Sequence, residues 1–407
     1  MLNHYDIIII GSGIAGLYSA YNIKKISPET SFIILEKYSK PWIGGRTNNE
    51  MFYNTEIVTG AGIGRSHKDK LLLNLIKDLN ISVTEDNFNT YYSNLITPIN
   101  ILKILNLLKN EYKKTNSNQQ ETFSQFAKHI LGEKEYNNFL INVGYTDYEN
   151  EDIIDTLYNY GMDDNTCCWK QVNIPWKKMI LQLCHIIGIQ NIKTSQNVIQ
   201  ISKIKEERFL IKTKNNNYTC NKIIIATTIT SLRKLLPHKS IYNEIEGQPF
   251  LRLYGKFTKS SIPILKKFIK GYTIVPGPLQ KIIPMDSDKG VYMIAYNDNK
   301  NAILLKDYLE NTEDNRELYC KLLEQSLGIP DKSLKLIAIK DYYWPIGTHY
   351  YKPLQKNIYK DRDDFIFEAQ HPENGILVVG EVVSKNQGWS NGALDSVKQV
   401  LTKKWIK

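Results

Sequence analysis

The sequence YDIIIIGSGIAG at residues 5–16 decides the fold, because it joins an apolar strand to a glycine-rich turn. Tyr5–Ile10 is a continuous apolar run, which is typical of a parallel strand buried on both faces. The first glycine of the turn permits a tight bend, the second lets a pyrophosphate approach the backbone, and the third lets the next helix pack closely. The turn therefore predicts a dinucleotide phosphate at a helix N-terminus, contacted by Gly11, Ser12, Gly13, Ile14, Ala15 and Gly16.

An acidic residue follows at the spacing that a dinucleotide requires. The second apolar run, Phe32–Leu35, ends at Glu36, twenty positions after Gly16. A carboxylate at this spacing can accept hydrogen bonds from both hydroxyls of an adenosine ribose. Strand, turn, helix and acid thus occur in order, and they predict a dinucleotide site that also includes Lys37. These residues alone leave both NAD and FAD open.

Further motifs lie near both ends of the chain. Trp42–Thr47 has the sequence WIGGRT and Thr59–Arg65 has TGAGIGR, whereas Gly375–Glu381 and Gln387–Leu394 lie close to the C-terminus. Together and in this order, the motifs resemble those of the flavin-dependent amine oxidases, which include monoamine and polyamine oxidases and L-amino-acid oxidases. The resemblance is strong at both ends and weaker in the middle. It implies FAD rather than a nicotinamide cofactor.

The resemblance implies FAD contacts that are spread along the whole chain. Arg46 would meet the diphosphate, whose oxygens suit a planar guanidinium. Glu381 would accept hydrogen bonds from ribityl or ribose hydroxyls, and a last helix over Gly392–Trp405 would direct its N-terminal dipole at the flavin. The expected contacts beyond the first turn are Glu36, Lys37, Gly44, Gly45, Arg46, Gly60, Ala61, Gly62, Ile63, Val198, Thr227, Gly380, Glu381, Gly388, Trp389, Ser390 and Ala393.

The resemblance also implies hydride transfer from the carbon beside the substrate nitrogen to flavin N5, between two aromatic rings. Trp389 matches one ring position, and Tyr350 or Tyr351 is the candidate for the other. Tyr351 would then contact the substrate. His349 in the same segment is expected to be structural or solvent-facing.

Two arginines complete the expected site. Arg252 lies where many relatives have a lysine that is water-linked to flavin N5. Arginine stays charged and cannot relay a proton, so an electron acceptor other than O₂ becomes possible. Arg65 is similar in position to an arginine that binds the substrate carboxylate in amino-acid oxidases. A surface charge before a helix over Lys68–Leu79 is an equally good interpretation.

The predicted fold class is α/β: a discontinuous Rossmann-like FAD-binding domain of the GR2 type, with an α+β substrate domain. Residues 1–85, 190–238 and 374–407 would form the FAD domain, 86–189 a helical part, and 239–373 a sheet-containing part. Periodicity predicts helices at Ile99–Lys109, Thr122–Leu131, Lys134–Val143, Asp152–Tyr160 and Asn311–Leu327. It predicts strands at Asn197–Ile201, Lys222–Ala226, Phe250–Phe257, Gly271–Val275, Lys281–Pro284, Gly290–Asn297 and Leu334–Tyr342.

Composition limits the partners and the location. The 407 residues carry a net charge of +10, yet no basic block of the kind that binds nucleic acid occurs. The five cysteines have no metal-binding spacing, and their odd number indicates a reducing, cytoplasmic setting rather than a disulfide framework. No stretch reaches transmembrane length. Because Trp344–Tyr351 holds no cysteine for covalent attachment, dissociable, non-covalent FAD is expected.

Three functional hypotheses follow. The first is an FAD-dependent oxidoreductase acting on a small amine or amino acid, with O₂ or another compound as electron acceptor. The second is a flavoenzyme of the same fold that acts on a non-amine, through C–C desaturation or sugar-nucleotide chemistry. The third is a structural flavoprotein without turnover. All three require FAD, so the glycine motifs do not separate them.

Overall fold

The computed structural model describes residues 3–115, 120–165, 168–204 and 208–407. Most of the polar break predicted at 116–120 lies outside these ranges, as does Cys167. The helices are α1 Ile14–Ile26, α2 Lys70–Asp78, α3 Ile101–Lys114, α4 Phe123–Val143, α5 Ile153–Tyr158, α6 Trp176–Ile187, α7 Ile229–Leu235, α8 Ile262–Phe268, α9 Asn299–Leu305, α10 Glu313–Leu327, α11 Arg362–Gln370, α12 Ser390–Val400 and α13 Lys403–Ile406. The strands are β1 Asn3–Ile10, β2 Phe32–Leu35, β3 Asn49–Phe52, β4 Thr55–Val58, β5 Ile63–Arg65, β6 Thr84–Phe88, β7 Thr90–Tyr92, β8 Trp169–Asn173, β9 Ile192–Lys193, β10 Val198–Lys203, β11 Phe209–Thr213, β12 Asn217–Ile225, β13 Ile245–Phe257, β14 Tyr272–Ile274, β15 Lys281–Asp286, β16 Val291–Asp298, β17 Leu336–Tyr351 and β18 Ile376–Val378.

A seven-stranded sheet carries the glycine turn. Its strand order is β10-β11-β12-β1-β2-β9, and β18 pairs with β12. The central strands β18, β12, β1, β2 and β9 are parallel, whereas β10 and β11 are antiparallel additions. Separate apolar clusters cover its two faces, which explains why β1 ends in four consecutive isoleucines. The α/β class is confirmed, and the sheet takes its strands from three distant segments of the chain.

A second sheet lies beside the first. Its order is β17-β13-β16-β15-β14-β7, with antiparallel pairing except between β14 and β7. An apolar cluster on this sheet includes residues of α8, α9 and α10, and α3, α4 and α5 share a separate core. Helices α3, α4 and α5 thus pack separately from the second sheet, and the domain division stays a prediction.

Several element limits differ from the sequence prediction. The two helices expected at Thr122–Leu131 and Lys134–Val143 are confirmed, because Gly132, whose φ of 76° is not helical, separates two helices within α4. The last helix ends at Val400, because the chain turns at Leu401 to bury that side chain and Ile406. Strand β17 continues to Tyr351, nine residues beyond its predicted end, because six of the nine added positions pair with β13. Helix α6 was not predicted.

The structure also bears on the cysteines and on membranes. Cys184, Cys220 and Cys320 are free and buried, whereas Cys168 takes part in a disulfide, which the odd count did not anticipate. Within the described ranges, no helix combines the length and apolarity needed to cross a bilayer. In the same ranges, no three His, Cys, Asp or Glu side chains form a group that could hold a metal ion.

A buried carboxylate joins the termini to the second sheet. Glu381 Oε1 accepts the backbone N–H groups of His349 at 2.9 Å and Gly388 at 2.8 Å. Its Oε2 accepts from His349 Nδ1 at 2.6 Å and lies 3.5 Å from Arg46 Nη1. Because His349 Nε2 accepts the Ile229 N–H at 3.2 Å, the ring proton sits on Nδ1. His349 is therefore structural, which is one of the two roles that the sequence predicted for it.

These contacts fix the charge of Glu381. Burial alone would raise the pKa of this carboxyl, but the His349 ring, Arg46 and the Gly388 N–H outweigh it and lower the pKa to about 2. A carboxyl with a depressed folded-state pKa stabilises the fold above its unfolded-state value, and that stabilisation is lost as the pH falls through the folded-state value. The contribution of Glu381 should thus be complete at neutral pH and should fade between about pH 4.5 and 2.

We expect Glu381→Gln to lower the free energy of unfolding of the cofactor-free protein by about 3 kcal/mol at pH 7. The substitution removes the negative charge while the three donors stay in place. Urea unfolding at pH 7 and at pH 3 measures the difference, which should shrink at the lower pH. Glu373→Gln is the matched control, since Glu373 forms an exposed pair with His238. This substitution should lower the free energy of unfolding by less than about 1 kcal/mol. Equal costs at both positions would contradict the role assigned to Glu381.

Candidate functional site

A cavity of about 1310 Å³ runs between the two sheets. It is larger than the pockets that hold a single drug-sized ligand, so it has room for a dinucleotide and a second small molecule. Its walls come from the N-terminal turn, the C-terminal helix start and the face of β13, β16 and β17. The predicted cofactor contacts that line it are Gly11, Gly13, Ile14, Ala15, Glu36, Lys37, Gly44, Gly45, Arg46, Gly60, Ala61, Gly62, Ile63, Val198, Thr227, Gly380, Glu381, Gly388, Trp389, Ser390 and Ala393.

The three glycines of the turn occupy different surroundings. A Cβ atom at Gly11, whose φ is +104°, would lie 2.4 Å from the Ala226 carbonyl oxygen, and one at Gly16 would lie 2.0 Å from the Gly11 oxygen. These two positions exclude any side chain because strand and helix are in contact there. A Cβ atom at Gly13 would meet nothing within 4 Å. Backbone N–H groups at the start of α1 are thus open to the cavity, as an anionic diphosphate requires.

Glu36 is held in one orientation at the end of β2. Its Oε2 accepts from the Ser12 backbone N–H at 2.8 Å and from the Ser12 hydroxyl at 2.7 Å, and Oε1 accepts from the Tyr38 N–H at 2.9 Å. Ser12 and Gly16 do not line the cavity. Ser12 positions the carboxylate instead, and Gly16 allows α1 to approach the sheet.

A short stretch of backbone at residues 58–62 is fixed by side chains from elsewhere in the fold. Tyr254 Oη donates to the Val58 oxygen at 2.6 Å, and Trp344 Nε1 donates to the Thr59 oxygen at 2.7 Å. Arg252 Nε donates to the Gly60 oxygen at 2.5 Å, and Trp176 Nε1 donates to the Gly62 oxygen at 3.1 Å. The second sheet therefore positions a cavity-lining loop that belongs to the N-terminal segment.

Arg252 lies on the cavity wall, and its expected place beside flavin N5 stays a prediction. Its guanidinium carbon is 4.2 Å from the centre of the Tyr296 ring and 5.7 Å from that of Phe250. A Cβ atom at Gly62 would lie 3.2 Å from Arg252 Nη2. A permanently charged group is thus buried between aromatic rings and the Gly60–Gly62 backbone.

Neither interpretation of Arg65, as a ligand of a substrate carboxylate or as a surface charge, agrees with the structure. Its side chain is buried and pairs with Asp69 and Asp164, each at 2.7 Å. Both carboxylates neutralise the guanidinium, so it has no free charge for a substrate carboxylate. The Arg65 guanidinium carbon instead lies 3.6 Å from the centre of the Trp389 ring. Arg65 supports the aromatic side chain at the start of α12.

The two tyrosines proposed for the second aromatic position are also misplaced. Strand β17 lines the cavity with Trp344–Thr348, and Tyr350 lies beyond this stretch, opposite Glu246. The Tyr351 ring is buried in a core cluster, where its hydroxyl donates to the Ser384 oxygen at 3.0 Å. A strand alternates its faces, so only tertiary contacts show which residues of β17 reach the cavity.

Several cavity residues were missed by the sequence analysis. Phe250 is two positions before Arg252 on β13, so the alternation of a strand could have placed both on one face. The others come from elements whose proximity has no signal in the sequence. These missed aromatic and acidic residues are Tyr145, Asp147, Tyr160, Tyr272, Tyr296 and Trp344.

The comparisons with known proteins concern the whole chain. No family model matches it. An uncharacterised protein of Acanthamoeba polyphaga mimivirus is 21% identical, with 98% of this chain and 93% of that protein covered. Cyclohexylamine oxidase from Brevibacterium oxydans superposes with a TM-score of 0.76 at 14% identity, covering 99% of this chain and 98% of the other.

Two further solved structures are similar. Putrescine oxidase with bound putrescine gives a TM-score of 0.74 at 12% identity, over 97% of this chain and 98% of that one. A putative protoporphyrinogen oxidase from Exiguobacterium gives 0.68 at 12% identity, over 99% of both chains. The match extends over nearly the full length in each case, and so the predicted resemblance is confirmed: this chain has the fold of the FAD-dependent amine oxidase family.

Proposed function

We propose that this chain is an FAD-dependent oxidoreductase that oxidises the C–N bond of a small amine or amino acid. The observation that carries the proposal is the convergence on one cavity of Glu36, Arg46, Glu381 and Trp389, from both ends of the chain. The fold, shared with two amine oxidases, agrees with it.

The residues present fit FAD. Gly13 leaves the start of α1 open for the diphosphate, and Arg46 adds a cation beside it. Glu36 would accept from the ribose, and the N-terminus of α12, with Ser390 and Ala393, would face the flavin. Bound FAD would supply the hydride acceptor. The protein would orient the cofactor and exclude water from its surroundings.

The chain's own groups would orient the substrate and exclude water. Trp389, supported by Arg65, would limit where an amine can lie. Phe250, Tyr296 and Trp344 add apolar surface to the cavity, which strengthens every charge interaction within it.

A flavoenzyme of the same fold acting on a non-amine is the second candidate. The similarity to a putative protoporphyrinogen oxidase favours it, as does the aromatic wall of the cavity. An anaerobic screen of amines, amino acids, polyamines and non-amine compounds separates the two candidates. Bleaching of the flavin by a non-amine alone would select the second.

Removal of a cofactor contact should release FAD. We expect Glu36→Ala and Arg46→Ala each to weaken FAD binding roughly 10- to 100-fold, because each deletes a charged hydrogen-bonding group. The measurement is the flavin absorbance per mole of purified protein, followed by titration of the cofactor-free protein. Glu29→Ala, at an exposed glutamate before β2, should retain the wild-type value. Full occupancy in both cavity variants would contradict the assignment.

Loss of the tryptophan ring should slow reduction without releasing FAD. We expect Trp389→Ala to lower the anaerobic rate of flavin reduction by an active amine at least about 10-fold, because the amine is no longer held in position. Stopped-flow absorbance measures this rate. Trp405→Ala, in α13 and outside the cavity, is the control. A wild-type rate in Trp389→Ala would remove Trp389 from the site.

Arg252 bears on the electron acceptor. We expect Arg252→Lys to increase the rate at which O₂ reoxidises the reduced protein about 10-fold or more, since a lysine can transfer a proton and an arginine cannot. Mixing the reduced protein with oxygenated buffer measures this rate. Lys256→Arg, on the same strand, serves as the control. An unchanged rate would separate Arg252 from the choice of acceptor.

A further inference from the structure

We propose that Asp147, hydrogen-bonded to Tyr160, binds the ammonium group of the substrate and takes its proton. The inference rests on the proposed amine oxidation and names the group that generates the neutral amine. The sequence offered no sign of it, because Asp147 and Tyr160 lie in loops that flank α5.

Asp147 differs from the other acidic residues of the cavity. Glu36 is assigned to the cofactor ribose and already accepts three hydrogen bonds, and Asp164 and Glu381 are paired with donors or cations of the protein. Glu56 and Asp86 are exposed to solvent. Asp147 is buried, yet within the described ranges it forms no ion pair, and its side chain has one side-chain donor, Tyr160 Oη at 2.5 Å. It is the buried carboxyl with capacity for a ligand cation.

The Asp147–Tyr160 pair and Trp389 line the same cavity. Gln248 Nε2 donates to the Asp147 carbonyl oxygen at 2.6 Å and to Thr348 Oγ1 at 3.3 Å. A Cβ atom at Gly388, next to Trp389, would lie 3.9 Å from Thr348 Cγ2. The Asp147 backbone is therefore linked through Gln248 to Thr348, which lies next to the loop that carries Trp389.

Contacts on the C-terminal side of Tyr160 also connect the pair to Trp389. A Cβ atom at Gly161 would lie 3.0 Å from Asp164 Oδ2, and Asp164 is the partner of Arg65, which packs on Trp389. Both sides of the Asp147–Tyr160 pair are thus connected to residues that contact Trp389 or its loop.

The proposed proton transfer from the ammonium group to Asp147 needs no co-reactant. One N–H bond of the ammonium breaks, an O–H bond forms on the Asp147 carboxylate, and the electron pair stays on nitrogen. No electron leaves the substrate in this step. Tyr160 donates to the carboxylate and stays protonated, since burial and the Asp147 charge hold the pKa of its hydroxyl well above 10.

The surroundings make Asp147 a suitable proton acceptor. Burial, and then the Asp298 carboxylate, raise the pKa of Asp147 to about 7 against the opposing effects of Tyr160 and Lys281. Such a group accepts a proton near neutral pH far better than an ordinary aspartate. The charged and titratable groups that act on or are influenced by Asp147 are Tyr148, Glu151, Tyr160, Lys281 and Asp298.

The first test measures anaerobic flavin reduction by a primary amine across pH. In Asp147→Asn, the second-order rate constant should fall about 100-fold at pH 7. It should rise about tenfold per pH unit toward the amine's own pKa, where the variant approaches the wild type, because only amine already neutral in solution can react. Asp86→Asn, at another aspartate of the cavity wall, is the matched control and should keep the wild-type profile.

The second test needs no turnover. Cumylamine has no hydrogen on the carbon beside its nitrogen, so it binds without being oxidised, and cumyl alcohol is its neutral counterpart. Flavin difference spectra give both dissociation constants. The wild type should prefer the amine at least about 10-fold, as a charged hydrogen bond implies, and Asp147→Asn should lose this preference.

The outcomes are distinct. A wild-type pH profile and a wild-type amine preference in Asp147→Asn would overturn the inference while leaving amine oxidation intact. Failure of every amine to bleach the wild-type flavin would instead overturn the proposed function. Should Asp147→Asn not fold, Tyr160→Phe replaces it. Loss of the Tyr160 hydroxyl should shift the acidic limb of the pH–rate profile to higher pH, because Tyr160 opposes the rise in the pKa of Asp147. An acidic limb at the wild-type pH would contradict the role of the pair.

Discussion

The buried carboxylate of Glu381 is the constraint on which the arrangement depends. A charged group in the interior is tolerated only when its lone pairs are occupied, and here the partners come from three distant parts of the chain: Arg46, His349 and Gly388. Satisfying one acid thus brings the N-terminal loop, strand β17 and the start of α12 together. The walls of the cavity follow from this convergence, because each partner is next to residues that line it.

A second set of contacts joins distant parts of the chain at the other side of the cavity. The carbonyl groups of residues 58–62 accept hydrogen bonds from Arg252, Tyr254 and Trp344 of the second sheet and from Trp176 of α6. Unpaired buried carbonyls would be costly, so loop and sheet are mutually required. The cavity is consequently bounded by elements that fix one another, which favours the preformed geometry that catalysis requires.

The sequence predicted local features well and long-range ones poorly. The glycine turn was recognisable because backbone sterics act over a few residues, and Gly11 and Gly16 indeed tolerate no Cβ atom. Arg65 was misassigned because one of its partners, Asp164, is 99 residues away and gives no signal in the sequence. The prediction for Tyr350 and Tyr351 was wrong for a related reason, because the register of β17 against β13 decides which side chains reach the cavity. That register depends on contacts that a motif does not contain.

Arg252 and Asp147 line the same cavity, and their charges bear on the same proposed substrate. Arg252 keeps its charge, and the aromatic rings of Phe250 and Tyr296 around it reduce screening by water. A permanent cation at this place opposes a second cation nearby, so it disfavours an ammonium ion and favours the neutral amine. In the proposed amine oxidation, the proton removed would go to a buried base of the same cavity, and Asp147 is an acid there without an ion-pair partner in the described chain. An arginine in the lysine position and a proton-accepting aspartate would then be two parts of one solution to the charge of the substrate.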